Sequence, residues 1–199
     1  MIKIKLLYLK TIEFLNFFLP KIFGMKGLRE FKYFILQIYY GVSKKKRIKF
    51  RKLNYWNKIN YNRVSIINYA ASKYNFNLKY LEIGCDDNIV FNSLAIKKEN
   101  KFGVDPFKGG NIKTTSDDFF LNNKILFDII FIDGLHTYSQ CQIDILNSLK
   151  FLQPNGIIFV HDLIPIDWKT EHCPRIFDHW NGDTWKVCFE LIESKNINF

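Results

Sequence analysis

Between Phe127 and Asp162 the apolar positions fall into two short unbroken runs separated by a helical pattern. The first run, Ile129–Ile132, stops at Asp133 and Gly134. Ile143, Leu146, Leu149 and Leu152 then recur about one turn apart, until Pro154-Asn155-Gly156 ends the pattern. The second run, Ile157–Val160, stops at His161 and Asp162. Strand, helix and strand in this order predict a βαβ unit. Strands that are apolar on consecutive residues are those of a parallel sheet covered by helices on both faces. A right-handed crossover makes the two strands parallel, so their C-terminal ends share one rim, about 5 Å apart if they are neighbours. Asp133 and Asp162 are then expected to meet at that rim, with His136 just beyond the first strand. Open α/β sheets bind their ligands at this edge.

Earlier in the chain, residues 60–74 carry Val64, Ile67 and Ala70 or Ala71 on one side of an expected helix. A short strand is expected to end at Gly84, with a helix running on towards Leu94, and a second strand, 102–105, ends in Asp105. A weaker strand at 112–114 and a short helix at 116–121 complete the order β-α-β-(β)-β-α-β. The fold class is therefore α/β, a doubly wound, mostly parallel, Rossmann-like sheet. Residues 185–194 can form a last helix. Two helices, about 6–19 and 27–40, separated by Pro20 and Gly24, are expected before the sheet.

Charge divides the chain in two. Residues 1–58 carry 15 Lys or Arg against Glu13 and Glu30, a balance of +13, while residues 59–199 carry 14 bases against 17 acids. A basic helical region, 1–58, and an α/β domain, 59–199, follow from this division. No uncharged run in 1–41 approaches the roughly 20 residues that span a bilayer. Lys10 and Glu13 likewise cut the apolar segment that a signal peptide would need. The helices are expected to pack on the domain or, helped by the basic run from Lys44 to Lys52, to lie on an anionic membrane surface. Nucleic acid is disfavoured as a partner, because one basic stretch carries little specificity. Cys85, Cys141, Cys173 and Cys188 have no paired short spacing, so reduced structural thiols in a cytoplasmic protein, peripheral at the membrane if the helices bind there, are expected.

At Gly84 the backbone can approach a ligand closely, and Asp105 follows 21 residues later, a spacing at which an acid ending the second strand reaches ribose hydroxyls. Where a full glycine-rich loop would carry further glycines this chain has Asp86, Asp87 and Asn88, short polar residues able to take positive φ. Two carboxylates there would repel a pyrophosphate. A cofactor without phosphates fits better, and S-adenosylmethionine is one.

The blocks YLEIGC at 80–85, FGVDPFKGGNIKTTSDDFF at 102–120, FDIIFIDGLHTY at 127–138, PNGIIFVHD at 154–162 and WNGDTWK at 180–186 resemble class I S-adenosylmethionine-dependent methyltransferases. Within these the chain is similar to the macrocin-type sugar O-methyltransferase group. The resemblance implies cofactor contacts from Glu82 and Gly84 beside the methionine part, with Cys85 in the same loop. It implies Asp105 on the ribose, Asp117 near the adenine end, and Asp133. It further implies Asp133 and Asp162 as ligands of a divalent cation, with Mg2+ expected, and His136 as general base. His161 precedes Asp162 where an extra ligand could sit, although side-chain alternation leaves open which face it takes. Small-molecule or glycan acceptors are the implied substrates, with Trp168 and Trp180 in a long aromatic loop that could stack on a sugar.

The family fold continues past WNGDTWK with two more strands, which this chain lacks. The sequence is then truncated, or the edge beside the Asp162 strand is covered by the N-terminal helices or by a partner chain, a homo-oligomer included. Two competing readings follow: a non-catalytic relic of the fold, and a membrane-surface module built on the basic region.

Overall fold

The structure is a computed structural model and describes residues 20–39 and 61–194. The expected helix over 6–19 and the basic run 44–52 lie outside the described residues. Strands β1 (Tyr80–Ile83), β2 (Lys101–Val104), β3 (Phe127–Ile132) and β4 (Leu152–Val160) form one sheet in the order β2-β1-β3-β4, with every pair parallel. Six α-helices accompany them among the described residues: α1 (Pro20–Tyr39), α2 (Arg63–Ser72), α3 (Ile89–Ser93), α4 (Ser116–Asn122), α5 (Tyr138–Lys150) and α6 (Val187–Glu193).

The first apolar run has the predicted cause, whereas the second, in β4, is only partly buried, with Ile157 37% exposed. In β3, Ile129 and Phe131 pack on one side of the sheet with Ile67, Ala70 and Ala71 of α2 and Val90 and Phe91 of α3. Ile130 and Ile132 pack on the other side with Phe120 of α4, Cys141 and Ile145 of α5 and Val187 of α6. Burying each such isoleucine contributes about 1.5–3 kcal/mol. β3 and β4 are neighbours, with Ile132 opposite Val160, so the two chain segments beyond them leave the sheet at one rim.

Three expectations need correction. The strand at 112–114 is a single bridge, Val104 to Ile112. The Asn111 side chain accepts from Gly103 N at 2.8 Å and donates to Lys101 O at 3.0 Å, so an amide takes the backbone groups that a third strand would have paired. Second, α5 does not bury Ile143, Leu146 and Leu149, all of which are exposed; it buries Cys141, Asp144, Ile145 and Ser148. A spacing of three drifts about 60° per step around a helix of 3.6 residues per turn, so those positions were never one face. Third, the helix expected over 27–40 spans Pro20–Tyr39 instead. Pro20 opens α1, where its fixed φ and missing N–H cost nothing, and Gly24 lies inside the helix.

Cys141 is buried as expected, and burial pushes its thiol up to about 12. Among the described residues β4 has β3 on one side and no strand on the other.

Candidate active site

A cavity of about 440 Å³ opens at the C-terminal rim of the sheet, over the ends of β1, β3 and β4. Its lining includes Glu82, Gly84 and Cys85 from the β1 end, Asp133 and His136 after β3, and His161 and Asp162 after β4. Seven of the residues named from sequence therefore converge.

Asp133 is the hub. Its Oδ1 lies 3.2 Å from His136 Nε2 and 3.0 Å from His161 Nδ1, and its Oδ2 accepts from Arg63 Nη1 at 3.1 Å. Burial pushes the Asp133 carboxyl up, but hydrogen bonds from the two histidines outweigh it and hold the group at about 2. His161 faces the cavity, which settles the alternation left open above. Arg63 Nη1 lies 3.2 Å from His161 Nε2; a guanidinium can only donate, so the network assigns the His161 proton to Nδ1, pointing at Asp133.

His136 is held from the far side. Its Nδ1 lies 2.9 Å from the Trp180 carbonyl, which can only accept, so Nδ1 carries a proton there. Burial lowers the His136 pKa, but Asp133 and the Trp180 carbonyl more than reverse this and raise it above the ordinary value. The Trp180 loop is itself anchored. Asn181 N and Gly182 N donate to Thr170 O, and Asp183 Oδ1 accepts from Tyr138 N at 2.7 Å, capping the first turn of α5. Asp162, at φ +55°, places its carboxylate 3.6 Å from His136 Nδ1 and 3.4 Å from His161 Nδ1. Among the described residues, the trio whose donor atoms all lie within 4.8 Å of one another is Asp133, His136 and His161, with Asp162 flanking it.

Glu82 forms the other wall. It is 1% exposed, and Tyr80 donates its hydroxyl to Oε2 at 2.7 Å. Burial pushes its carboxyl up to about 7, against the opposing pull of that hydrogen bond. Beside it the loop turns at Gly84, φ +82°, where an added Cβ would lie 2.2 Å from the Asp133 carbonyl. No other residue fits between the β1 and β3 ends. Asp86 and Asn88 take φ of +39° and +64°, as short polar residues were expected to.

Asp105 and Asp117 do not line the cavity. Asp105 Oδ2 accepts from Cys85 N and Asp86 N, and its Oδ1 from Phe107 N and Lys108 N, all at 2.8–3.1 Å. A carboxylate has about four acceptor positions, so none is left for a ribose hydroxyl. Asp105 is a clamp between the loops after β1 and β2. Burial opposes its ionisation, but the four N–H groups hold its pKa below the ordinary value. Asp117, exposed at the start of α4, accepts from Gln140 Nε2 at 3.1 Å.

Residues 91–163 match the family model of a methyltransferase domain. The matched stretch runs from α3 to the end of β4 and carries Asp133, His136, His161 and Asp162, while Glu82 and Gly84 lie before it. No curated protein matches the chain. The match makes methyl transfer the chemistry to test, with S-adenosylmethionine as the donor that domains of that family imply.

Sequence reasoning missed Arg63, which sits 70 positions before Asp133. His179 also lines the cavity, with Arg175 and Asp178. Trp180 lines it too, whereas Trp168 does not.

Proposed function

We propose that the protein is an S-adenosylmethionine-dependent O-methyltransferase acting on a hydroxyl of a sugar or glycan precursor, with a divalent cation assisting. The observation that carries the reading is the convergence of Asp133, His136, His161 and Asp162 in the same cavity as Glu82 and Gly84. Donor and acceptor ends would then be neighbours, which alignment for in-line transfer requires.

The methionine end of the cofactor fits this wall. Burial of the Glu82 carboxylate is costly and outweighs the pull of the Arg63 and Lys101 charges, and an ammonium group beside it would add the missing compensation. When bound, the cofactor supplies an activated methyl group on a sulfonium. Asp105 contributes by fixing the loop that shapes the site rather than by touching ribose.

His136 can be a cation ligand or a base but not both, since Nδ1 is committed to Trp180 and Nε2 has one lone pair. As a base, His136 works in its neutral form, after release of the Nε2 proton that it otherwise shares with Asp133; it then accepts the hydroxyl proton at Nε2, and Asp133 at 3.2 Å stabilises the imidazolium so formed. That assignment leaves the carboxylates of Asp133 and Asp162 for the cation, an oxygen set that suits Mg2+, while His161 stays committed to Asp133 through Nδ1 and to Arg63 through Nε2. A cation there would lower the pKa of an acceptor hydroxyl. Trp180, its ring 5.8 Å from that of His136, gives a sugar ring an apolar face to stack on.

Titration calorimetry with S-adenosylhomocysteine, with and without Mg2+, tests the proposal. Saturable binding is expected, and silence at millimolar ligand would favour a non-catalytic relic of the fold.

A further inference from the structure

Helix α1 is turned inside out relative to an ordinary packing helix. Its contacts with the domain are polar: Arg29 pairs with Asp178 at 3.2 Å, Gln37 donates to Ile176 O at 2.9 Å, and Tyr33 lies under the Arg175 guanidinium. Leu36, next to Gln37, is the buried apolar residue on that side. The opposite face carries Phe31, Phe34 and Ile38, spaced i, i+3, i+7, and these are 43%, 52% and 62% exposed.

We infer that this face of α1 docks the protein on an anionic phospholipid surface, lying in the interface plane. The occupant follows from charge. The run Lys44–Lys52 directly after the helix holds seven Lys or Arg among nine residues, with Ile48 and Phe50 between them, and residues 1–58 carry +13 in all. An exposed aromatic stripe flanked by such a basic run is the pattern of an interfacial helix with electrostatic attraction to acidic headgroups. A second copy fits worse, because each copy would bring the same +13 to the contact. The rest of the chain, residues 59–199 with 14 bases against 17 acids, has no such attraction, so the contact is oriented by α1. Arg175 and Asp178, which hold α1, also line the cavity mouth, so docking would set the cavity beside the lipid surface. Among the described residues no helix is long and apolar enough to cross a membrane. The docking does not depend on the methyl-transfer reading.

Flotation of the full chain with vesicles tests it. The protein is expected to float with vesicles of phosphatidylcholine and phosphatidylserine, and at least tenfold less with phosphatidylcholine alone. The triple variant Phe31→Ser, Phe34→Ser, Ile38→Ser should lose at least tenfold in partitioning, with an unchanged circular dichroism spectrum and melting temperature. Lys44→Glu, Lys45→Glu, Lys46→Glu should lose as much without touching the helix. Failure of the wild-type chain to float would overturn the proposal. So would a triple variant that melts earlier, meaning that another segment of the chain covers the face. A dimer that the triple variant converts to monomer, with no flotation, would assign the face to a second copy.

Discussion

Replacing Glu82 by glutamine isolates the charge of one buried carboxyl while keeping an oxygen to accept from Tyr80. Burial raises the Glu82 pKa from 4.5 to about 7, so the folded protein holds this proton more tightly than the unfolded chain. The stability that comes from the neutral form is complete below pH 4.5 and is lost as pH rises through about 7. The span corresponds to about 3 kcal/mol at 1.36 kcal/mol per unit. Urea unfolding of the unliganded protein should therefore show the variant gaining on the wild type between pH 5 and pH 8, by a few kcal/mol at most. Cofactor binding should move the opposite way. If the ammonium group requires ionised Glu82, affinity falls by the fraction protonated, about thirtyfold between pH 8 and pH 5.5 for a pKa of 7. Calorimetry with S-adenosylhomocysteine in buffers of different ionisation enthalpy reads both the affinity and the proton released. Affinity independent of pH in the wild type, or proton uptake on binding, would refute the reasoning.

Removing Asp133 with alanine leaves Arg63 and two histidines without their shared partner, and metal-dependent transfer should be abolished; full activity in excess chelator would dismiss the cation. His136→Ala separates the two roles of that imidazole, since Mg2+ affinity measured by calorimetry should stay within threefold if His136 is the base and collapse if it is a ligand. Arg63→Met removes a cation from Asp133 Oδ2, and Mg2+ binding should tighten at least tenfold, by the loss of charge repulsion at close range. Gly84→Ala combines φ +82° with a Cβ 2.2 Å from the Asp133 carbonyl, so destabilisation of at least about 2 kcal/mol is expected in a thermal melt.

The sequence by itself determined the parallel sheet and much of its functional rim. Two apolar runs and an intervening helix put Asp133 and Asp162 on one rim, because the crossover hand makes the strands parallel, and the pairing of β3 with β4 then brings them together. It also determined that the backbone at Gly84 can come close to a ligand and that short polar residues among Asp86, Asp87 and Asn88 could replace glycine in positive φ, as Asp86 and Asn88 do. Tertiary structure alone decided how these groups are used. Arg63 reaches Asp133 from 70 positions away, and its guanidinium settles the tautomer of His161; no local pattern encodes either contact. Asp105 has the right spacing for ribose, yet backbone N–H groups from two loops fill its oxygens, since an ordered carboxylate takes the nearest donors. Helix α5 buries Asp144 where Gln140 donates to it and turns Ile143 and Leu146 outward. Periodicity specifies which residues share a face, but the rotation of that face is set by which polar groups find partners once the elements meet.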